Sequence, residues 1–183
     1  ADFVNPYLDY HNGIHRTGFV RSDIKSHNFW ESLGGTKEGT MDIVYEFFDT
    51  NHFRDLPVVW GARDAVRKLS KNNELYVITF RPDSIRGLTN RWIDHHFHEM
   101  FTEVILTGHG EGTRSKPEIC VEYGVETIIE DNERNAVECS QVGVRSLLLD
   151  SPWNQNGALP ENMYRAYGWN DVLNKINGVS TMI

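Results

Sequence analysis

The sequence predicts an α/β fold with a doubly wound, mostly parallel, Rossmann-like sheet. Two similar segments, residues 124–129 and 143–148, each begin with a glycine suited to end a helix and continue as a short apolar strand. A third apolar strand covers residues 75–79. Because strands that alternate with helices are usually joined by crossover connections, these strands are expected to run parallel.

Length and composition bound the class of protein. The 183 residues predict one domain, 1–183, large enough for a hydrophobic core. The formal net charge of −8 argues against a nucleic acid polymer as partner, since such binding needs a basic surface. No apolar run approaches the roughly 20 residues of a membrane span, so no membrane partner is expected. With only Cys120 and Cys139, no disulfide framework is expected, and a reducing, cytoplasmic compartment is favoured.

The first third of the chain is predicted to be helical. Apolar and aromatic residues between 2 and 11 have helical spacing, and Asn12-Gly13 is expected to end that helix. Residues 14–58 are less regular and rich in aromatic side chains, and we interpret them as a small helical cap inserted near the N-terminus. Aromatic stripes of this kind more often pack in a core than contact a ligand.

The remaining segments alternate between the apolar spacing typical of helices and the short apolar runs typical of strands. A helix follows at 62–69, where apolar residues recur at i, i+3, i+4 and i+7. The strand at 75–79 and the loop at 80–82 lead to a helix that Asp83 or Ser84 can cap. The later predictions are a strand within 101–107, a helix from residue 115, the two repeated strands, and a final helix at 169–176.

The apolar strand that precedes Glu130 and Asp131 is the best candidate for a functional site. Carboxylates at a strand end are costly unless they line a cleft, pair, or hold a metal. In open parallel sheets, ligands bind at the carboxyl ends of the strands. A hard cation such as Mg²⁺ would suit this pair. The alternative is that both acids simply open the next helix, whose N-terminus favours negative charge.

Two more polar residues are expected at the same edge of the sheet. Thr79 ends a strand and offers a hydroxyl group, and Lys116 lies at a helix start, where a cation is unfavourable unless an anion is near. A hydroxyl, an ammonium and a carboxylate-bound metal together suit a phosphate. The alternatives are an exposed surface lysine and a strand-end hydroxyl bonded to the backbone.

In this order, the motifs resemble those of the haloacid dehalogenase-like (HAD) superfamily of phosphohydrolases. The second motif of that superfamily is an apolar strand ending in Ser or Thr, the third is a lysine near a helix start, and the fourth is an acidic pair after an apolar strand. The wider similarity is to 5′-nucleotidases, especially deoxyribonucleotidases, and extends over about residues 2–176. It is carried by residues 45–57, 77–82, 115–120, 129–132 and 152–154.

The resemblance implies Mg²⁺-dependent hydrolysis of a phosphate monoester, with phosphate or a nucleoside monophosphate as ligand. In that chemistry an aspartate attacks phosphorus and water hydrolyses the aspartyl-phosphate. The implied site residues are Thr79 and Lys116 as catalytic residues on the phosphoryl group, Phe80 and Arg81 on the substrate, and Glu130 and Asp131 on the metal.

The sequence departs from the superfamily at its first motif, a strand ending in Asp-x-Asp that supplies the nucleophile and the general acid/base. This motif is not found before the first helix, and no Asp-x-Asp occurs in the 183 residues. The Asp9-Tyr10-His11 segment is only superficially similar, and its helical periodicity makes Asp9 an exposed helix position. Either upstream residues are missing from this polypeptide or the reaction has been lost, so we expect impaired hydrolysis. The alternative function is a non-catalytic binding or interaction protein, a pseudophosphatase.

The first-motif strand is central in the superfamily, between the strand ending at Thr79 and the strand ending at Asp131. Its absence would separate those strands by about 10 Å, twice the usual spacing, and leave backbone groups without partners. We expect residues 178–183, or a segment from another chain, to pair there, which leaves a homo-oligomer open. Three histidines, His95, His96 and His98, lie near a helix end. We do not expect a metal there, because a metal site needs three or four convergent ligands.

Overall fold

The computed structural model describes residues 1–108, 113–155 and 157–178. Helices and strands alternate as an α/β fold requires, so the predicted class is confirmed. The helices are α1 Val4–His15, α2 Phe29–Leu33, α3 Lys37–Phe48, α4 Asn51–Arg54, α5 Ala62–Leu69, α6 Arg86–Phe97, α7 Lys116–Glu122, α8 Glu133–Gln141 and α9 Trp169–Ile176. The strands are β1 Tyr76–Thr79, β2 Glu103–Leu106, β3 Thr127–Glu130, β4 Arg145–Leu149 and β5 Met163–Ala166. Within the described ranges, every helix is too short or too polar for a membrane span.

The chain divides into two units, and the helical unit comprises residues 1–59 and 151–155. Its core contains Val4, Leu8, Ile24 and Trp153, all less than 9% exposed. The guanidinium of Arg21 lies 4.6 Å from the centroid of the Trp153 ring. The short segment after β4 therefore packs as part of this unit. The range 14–58, predicted as a cap, lies within it, together with α1.

Helix α1 extends beyond its predicted end. The helix continues through Asn12-Gly13 to His15 and ends at Arg16, whose backbone is left-handed with a φ of 55°. The Asn12 side chain explains the difference. Its Nδ2 donates to the carbonyl of Phe19 (2.8 Å) and its Oδ1 accepts from the backbone N–H of Phe19 (3.0 Å), so it stays helical and fixes the following loop.

The sheet unit comprises residues 60–150 and 156–183 and contains all the described strands. In the described part of the chain these form two sheets, in which every pairing is parallel. Strand β1 pairs with β2, so that Thr79 lies opposite Leu106. Strands β3, β4 and β5 pair in that order. The expected parallel arrangement is therefore confirmed.

Strands β1 and β3 are not hydrogen-bonded to each other in the described residues. Direct pairing of β1 with β3 would have contradicted the prediction that another segment lies between them, and this pairing is not observed in the described residues. All four residues of β1 are half-buried, although three of them are large and apolar. The segment expected between the two strands is 178–183, and the described residues end at Gly178. The pairing of this segment with β1 and β3 therefore stays a prediction.

The core of the sheet unit lies on both faces of the strands. Leu147, Ala166 and Val172 form one fully buried cluster. A second cluster joins Cys120 of α7 and Cys139 of α8 to Ile128 of β3, and both cysteines are buried and free, as expected. Helix α9 has its predicted bounds, whereas strand β5 was not predicted from the sequence.

Candidate active site

The end of β1 is fixed by its neighbour β2. The carbonyl oxygen of Thr79 accepts from the backbone N–H of Thr107 (2.9 Å) and from the Thr107 hydroxyl (3.3 Å). The Thr79 hydroxyl oxygen accepts a long hydrogen bond, 3.4 Å, from the backbone N–H of Arg81. A backbone contact of this kind was the alternative expected for Thr79. The hydroxyl group can in addition donate one hydrogen bond.

Phe80 and Arg81 follow Thr79 on the loop after β1, and both are half-buried. Arg81 Nη1 donates to the hydroxyl oxygen of Thr89, a buried residue of α6, at 3.3 Å. Burial lowers the pKa of Arg81 to about 10. The guanidinium therefore remains charged at neutral pH and is a cation held near the end of β1.

Lys116 begins helix α7, whose start is strongly specified by the sequence. The Ser115 hydroxyl accepts from the backbone N–H of Glu118, and the Glu118 carboxylate accepts from the backbone N–H of Ser115 (2.7 Å). This reciprocal capping box fixes the first turn, and Pro117 suits that turn because its missing N–H is not needed there. Unlike an ordinary surface lysine, Lys116 is only 7% exposed.

The ammonium of Lys116 is paired with Glu130. Lys116 Nζ lies 2.9 Å from Oε1 and 3.0 Å from Oε2 of that carboxylate. The same nitrogen lies 5.1 Å from the centroid of the Phe80 ring, within the range of a cation–π contact. Lys116 therefore links the residue after β1 to the last residue of β3. The anion that its position at a helix start requires is supplied within the chain by Glu130.

Asn135 belongs to the site and was missed by the sequence analysis. Its Nδ2 donates to Glu130 Oε1 at 2.7 Å, and its side chain is buried. It lies in the first turn of α8, which the Asn132 side chain caps by accepting from the backbone N–H of Asn135 (3.3 Å). The sequence signal that could have identified Asn135 is its place as a polar residue in the first turn of the helix that follows an acidic strand end.

Asp131 follows Glu130 directly and is half-buried at the carboxyl end of β3. Among the described residues, no group of three or more His, Cys, Asp or Glu side chains is arranged to hold a metal. Mg²⁺ is nevertheless often bound by one or two carboxylates, with water and substrate oxygens completing its shell. Asp131 fits that mode. Glu130 already accepts hydrogen bonds from Lys116 and Asn135.

Of the three histidines near the end of α6, His95 and His96 stack edge to face with ring centroids 4.6 Å apart. His96 Nδ1 lies 2.9 Å from Nη2 of Arg63, and His98 Nδ1 lies 3.1 Å from the Asp94 carboxylate. Asp94 raises the pKa of His98 through this contact. These contacts are those of a solvated helix end.

The sequence candidates thus fall into one region of the sheet unit. Contacts join Thr79 to Arg81, Phe80 to Lys116 and Lys116 to Glu130, and Asp131 adjoins Glu130. Asp9, considered as a nucleophile, lies in the helical unit at an exposed position of α1, as predicted. The site therefore offers two cations, two carboxylates, a hydroxyl and a buried amide.

Comparisons with known proteins identify the family to which the chain belongs. A family model described as "5' nucleotidase, deoxy (Pyrimidine), cytosolic type C protein" matches residues 1–181. A nucleotidase of Clostridium acetobutylicum is 25% identical over 166 residues, which are 91% of this chain and 83% of that protein. A 5'(3')-deoxyribonucleotidase of Bacillus subtilis is 28% identical over 181 residues, 96% of this chain and 92% of that protein.

Solved structures of other proteins share the fold. A HAD-superfamily hydrolase from Geobacter sulfurreducens superposes with a TM-score of 0.59 at 16% identity, covering 96% of this chain and 92% of the other. That likeness confirms the HAD-like fold, and the match to the family model spans nearly the whole sequence. The chain therefore belongs to the family of the 5' nucleotidase, deoxy (Pyrimidine), cytosolic type C proteins, on a HAD-like scaffold.

Proposed function

We propose that this protein binds phosphate monoesters of nucleotide type with Mg²⁺, at the carboxyl ends of β1 and β3, and hydrolyses them if a nucleophile is available. The observation that supports this most strongly is the position of Lys116. Its ammonium is buried and bridges the loop after β1 to the end of β3. A buried ion pair often adds no stability over apolar residues of similar volume, which favours a role for Lys116 in binding.

Each proposed role follows from the chemistry of the side chain. Arg81 and Lys116 would neutralise a phosphate dianion, and the Thr79 hydroxyl would donate to one of its oxygens. Asp131 would hold Mg²⁺, which, when bound, would neutralise further charge on the phosphate oxygens. Phe80 packs beside the Lys116 ammonium and would limit the access of water to it.

The alternative is a non-catalytic protein that binds the same ligands on this scaffold. It is favoured by two observations: the 183 residues contain no Asp-x-Asp, and Asp9 is exposed on a helix. In the parent chemistry a carboxylate must attack phosphorus, and no other residue of this site is assigned that role. Such a protein would retain phosphate binding through Lys116, Arg81 and Thr79.

Phosphate release from deoxynucleoside and ribonucleoside monophosphates, measured with Mg²⁺, tests the first function, with Asp131→Asn as the control. Release by the wild-type protein that is lost in Asp131→Asn supports hydrolysis. A folded protein that releases nothing, but whose melting temperature rises with a nucleoside monophosphate and Mg²⁺, supports the binding alternative, because a ligand that binds only the folded state stabilises it. If the folded protein showed neither phosphate release nor stabilisation by these ligands, both proposed functions would be contradicted.

A further inference from the structure

Three buried polar side chains form one hydrogen-bonded group at the carboxyl end of β3. Glu130 Oε1 accepts from Lys116 Nζ (2.9 Å) and from Asn135 Nδ2 (2.7 Å), while Oε2 accepts from Lys116 Nζ (3.0 Å). Lys116 is 7% exposed, Glu130 9% and Asn135 5%. Buried charges are tolerated only when they are paired and hydrogen-bonded, so these side chains restrain one another.

Asn135 acts on Lys116 through Glu130. The amide donates to the same carboxylate oxygen that accepts from the ammonium. The capped first turn of α8 anchors Asn135. Glu130 Oε1 is therefore held by the Asn135 amide as well as by the Lys116 ammonium. A carboxylate fixed through Oε1 by Asn135 restricts the position of the ammonium, which is what a group that must meet a phosphate oxygen requires.

The same contacts make Glu130 a poor ligand for a divalent cation. Oε1 already accepts two hydrogen bonds, which occupy both of its lone pairs. Mg²⁺ binds a carboxylate oxygen at about 2.1 Å, so an ion on either oxygen would lie within about 5 Å of Lys116 Nζ. Two positive charges that close repel strongly in a buried site. Asp131 lies one residue beyond the strand end and is the other carboxylate expected to hold the metal.

We propose that Glu130 and Asn135 are positioning residues: Glu130 is the counter-ion that fixes the Lys116 ammonium rather than a metal ligand, and Asn135 fixes Glu130. The consequence for phosphate binding rests on the proposed function. The geometry of the three side chains does not depend on it, and the two are tested separately.

The geometry is tested by the NMR signal of the Lys116 ammonium in protein labelled with ¹⁵N-lysine, at mildly acidic pH and low temperature. A buried ammonium held by a fixed carboxylate exchanges its hydrogens slowly, so the wild-type protein should show this signal, assigned by its loss in Lys116→Met. It should disappear in Asn135→Leu, which keeps the volume of the side chain but removes the donor. The matched control is Ser140→Ala, which removes a hydrogen bond of a buried α8 residue to the Val137 carbonyl without touching Glu130 or Asn135, and should keep the signal. A signal unchanged in a folded Asn135→Leu protein would overturn the proposal.

The role is tested by calorimetric titration with inorganic phosphate and with Mg²⁺, each measured separately. Asn135→Leu should raise the dissociation constant for phosphate about tenfold, as loss of one hydrogen bond to a charged group predicts, and leave that for Mg²⁺ unchanged. Glu130→Gln should also keep its Mg²⁺ affinity, whereas Asp131→Asn should lose it. Equal loss of Mg²⁺ in Glu130→Gln and Asp131→Asn would show that Glu130 is a metal ligand and overturn the assignment. If the wild-type protein binds neither probe, the proposed function fails, while the NMR result still decides whether Asn135 positions Lys116.

Discussion

The ammonium nitrogen of Lys116 lies 2.9 and 3.0 Å from the two carboxylate oxygens of Glu130, although 14 positions separate these residues in the sequence. Removing either partner would leave a buried charge without compensation. We expect Lys116→Met and Glu130→Gln each to lower the free energy of unfolding by about 3–5 kcal/mol. The double variant should lose less than the sum by at least about 1 kcal/mol, because the two residues interact directly.

Urea denaturation of the four proteins in this cycle measures that coupling. Lys175 and Asp171 provide a comparison, since their ion pair of 2.8 Å is more exposed, at 26% and 19%. Breaking it should cost less than about 1 kcal/mol. Equal effects at the two pairs would mean that burial does not set the strength of these interactions.

The end of α1 provides a stabilising substitution. Arg16 has a left-handed backbone with a φ of 55°, a conformation that is unfavourable for residues with a Cβ atom. We expect Arg16→Gly to raise the free energy of unfolding by about 0.5–1 kcal/mol, and Arg16→Val to lower it. Thermal and urea unfolding would measure both. A stabilised Arg16→Val protein would mean that the helix ends differently in solution.

His11 should make the stability of the helical unit depend on pH. It is buried in α1, and burial, followed by the nearby His15, lowers its pKa below the ordinary 6.5. Between that lowered pKa and 6.5, the unfolded chain binds more protons than the folded one. The free energy of unfolding therefore falls as the pH falls below 6.5, and the fall levels off below the folded-state pKa.

Melting temperatures of the wild-type protein and of His11→Phe, measured from pH 8 down to pH 5, would reveal this dependence. The variant should lose part of the decrease below pH 6.5, because phenylalanine does not titrate. Parallel curves for the two proteins over the whole range would mean that His11 titrates alike in both states.

The two buried thiols should be protected from reagents in the folded protein. Cys120 and Cys139 are completely buried. The hydrogen bond to Cys120, together with burial, holds the pKa of the Cys139 thiol well above its usual range. Since the thiolate is the reactive form, an aromatic disulfide reagent should label both cysteines only as fast as the protein unfolds. Rapid labelling of either cysteine in native buffer would contradict this arrangement.

The sequence predicted the strand ends better than it predicted the contacts between them. Thr79 and Glu130 both end strands as expected, because short apolar runs bounded by polar residues are a strong local signal. Strand β5 was missed because its four residues, Met-Tyr-Arg-Ala, lack such a run, and it is established by pairing with β4. The ion pair of Lys116 was not predicted either, since it depends on how α7 packs against the end of β3.

The helix end at Asn12-Gly13 was wrong for a related reason. Both residues are common where helices end, but the Asn12 side chain bonds forward to Phe19 and allows one further turn. Asn135 was overlooked because an amide in a helix is usually solvated. Its burial is set by the sheet beneath α8, which local sequence patterns do not report.

The segment 151–155 restricts where this protein can be cut into fragments. Although it follows β4 of the sheet unit, Trp153 packs with Val4, Leu8 and Ile24, and Asn154 is completely buried. A fragment that begins after Val59, where the first part of the helical unit ends, would leave the indole of Trp153 without the apolar side chains that cover it. Expression of the sheet unit alone would therefore call for a shortened loop or a polar residue at 153, and a fragment without that change should be prone to precipitate.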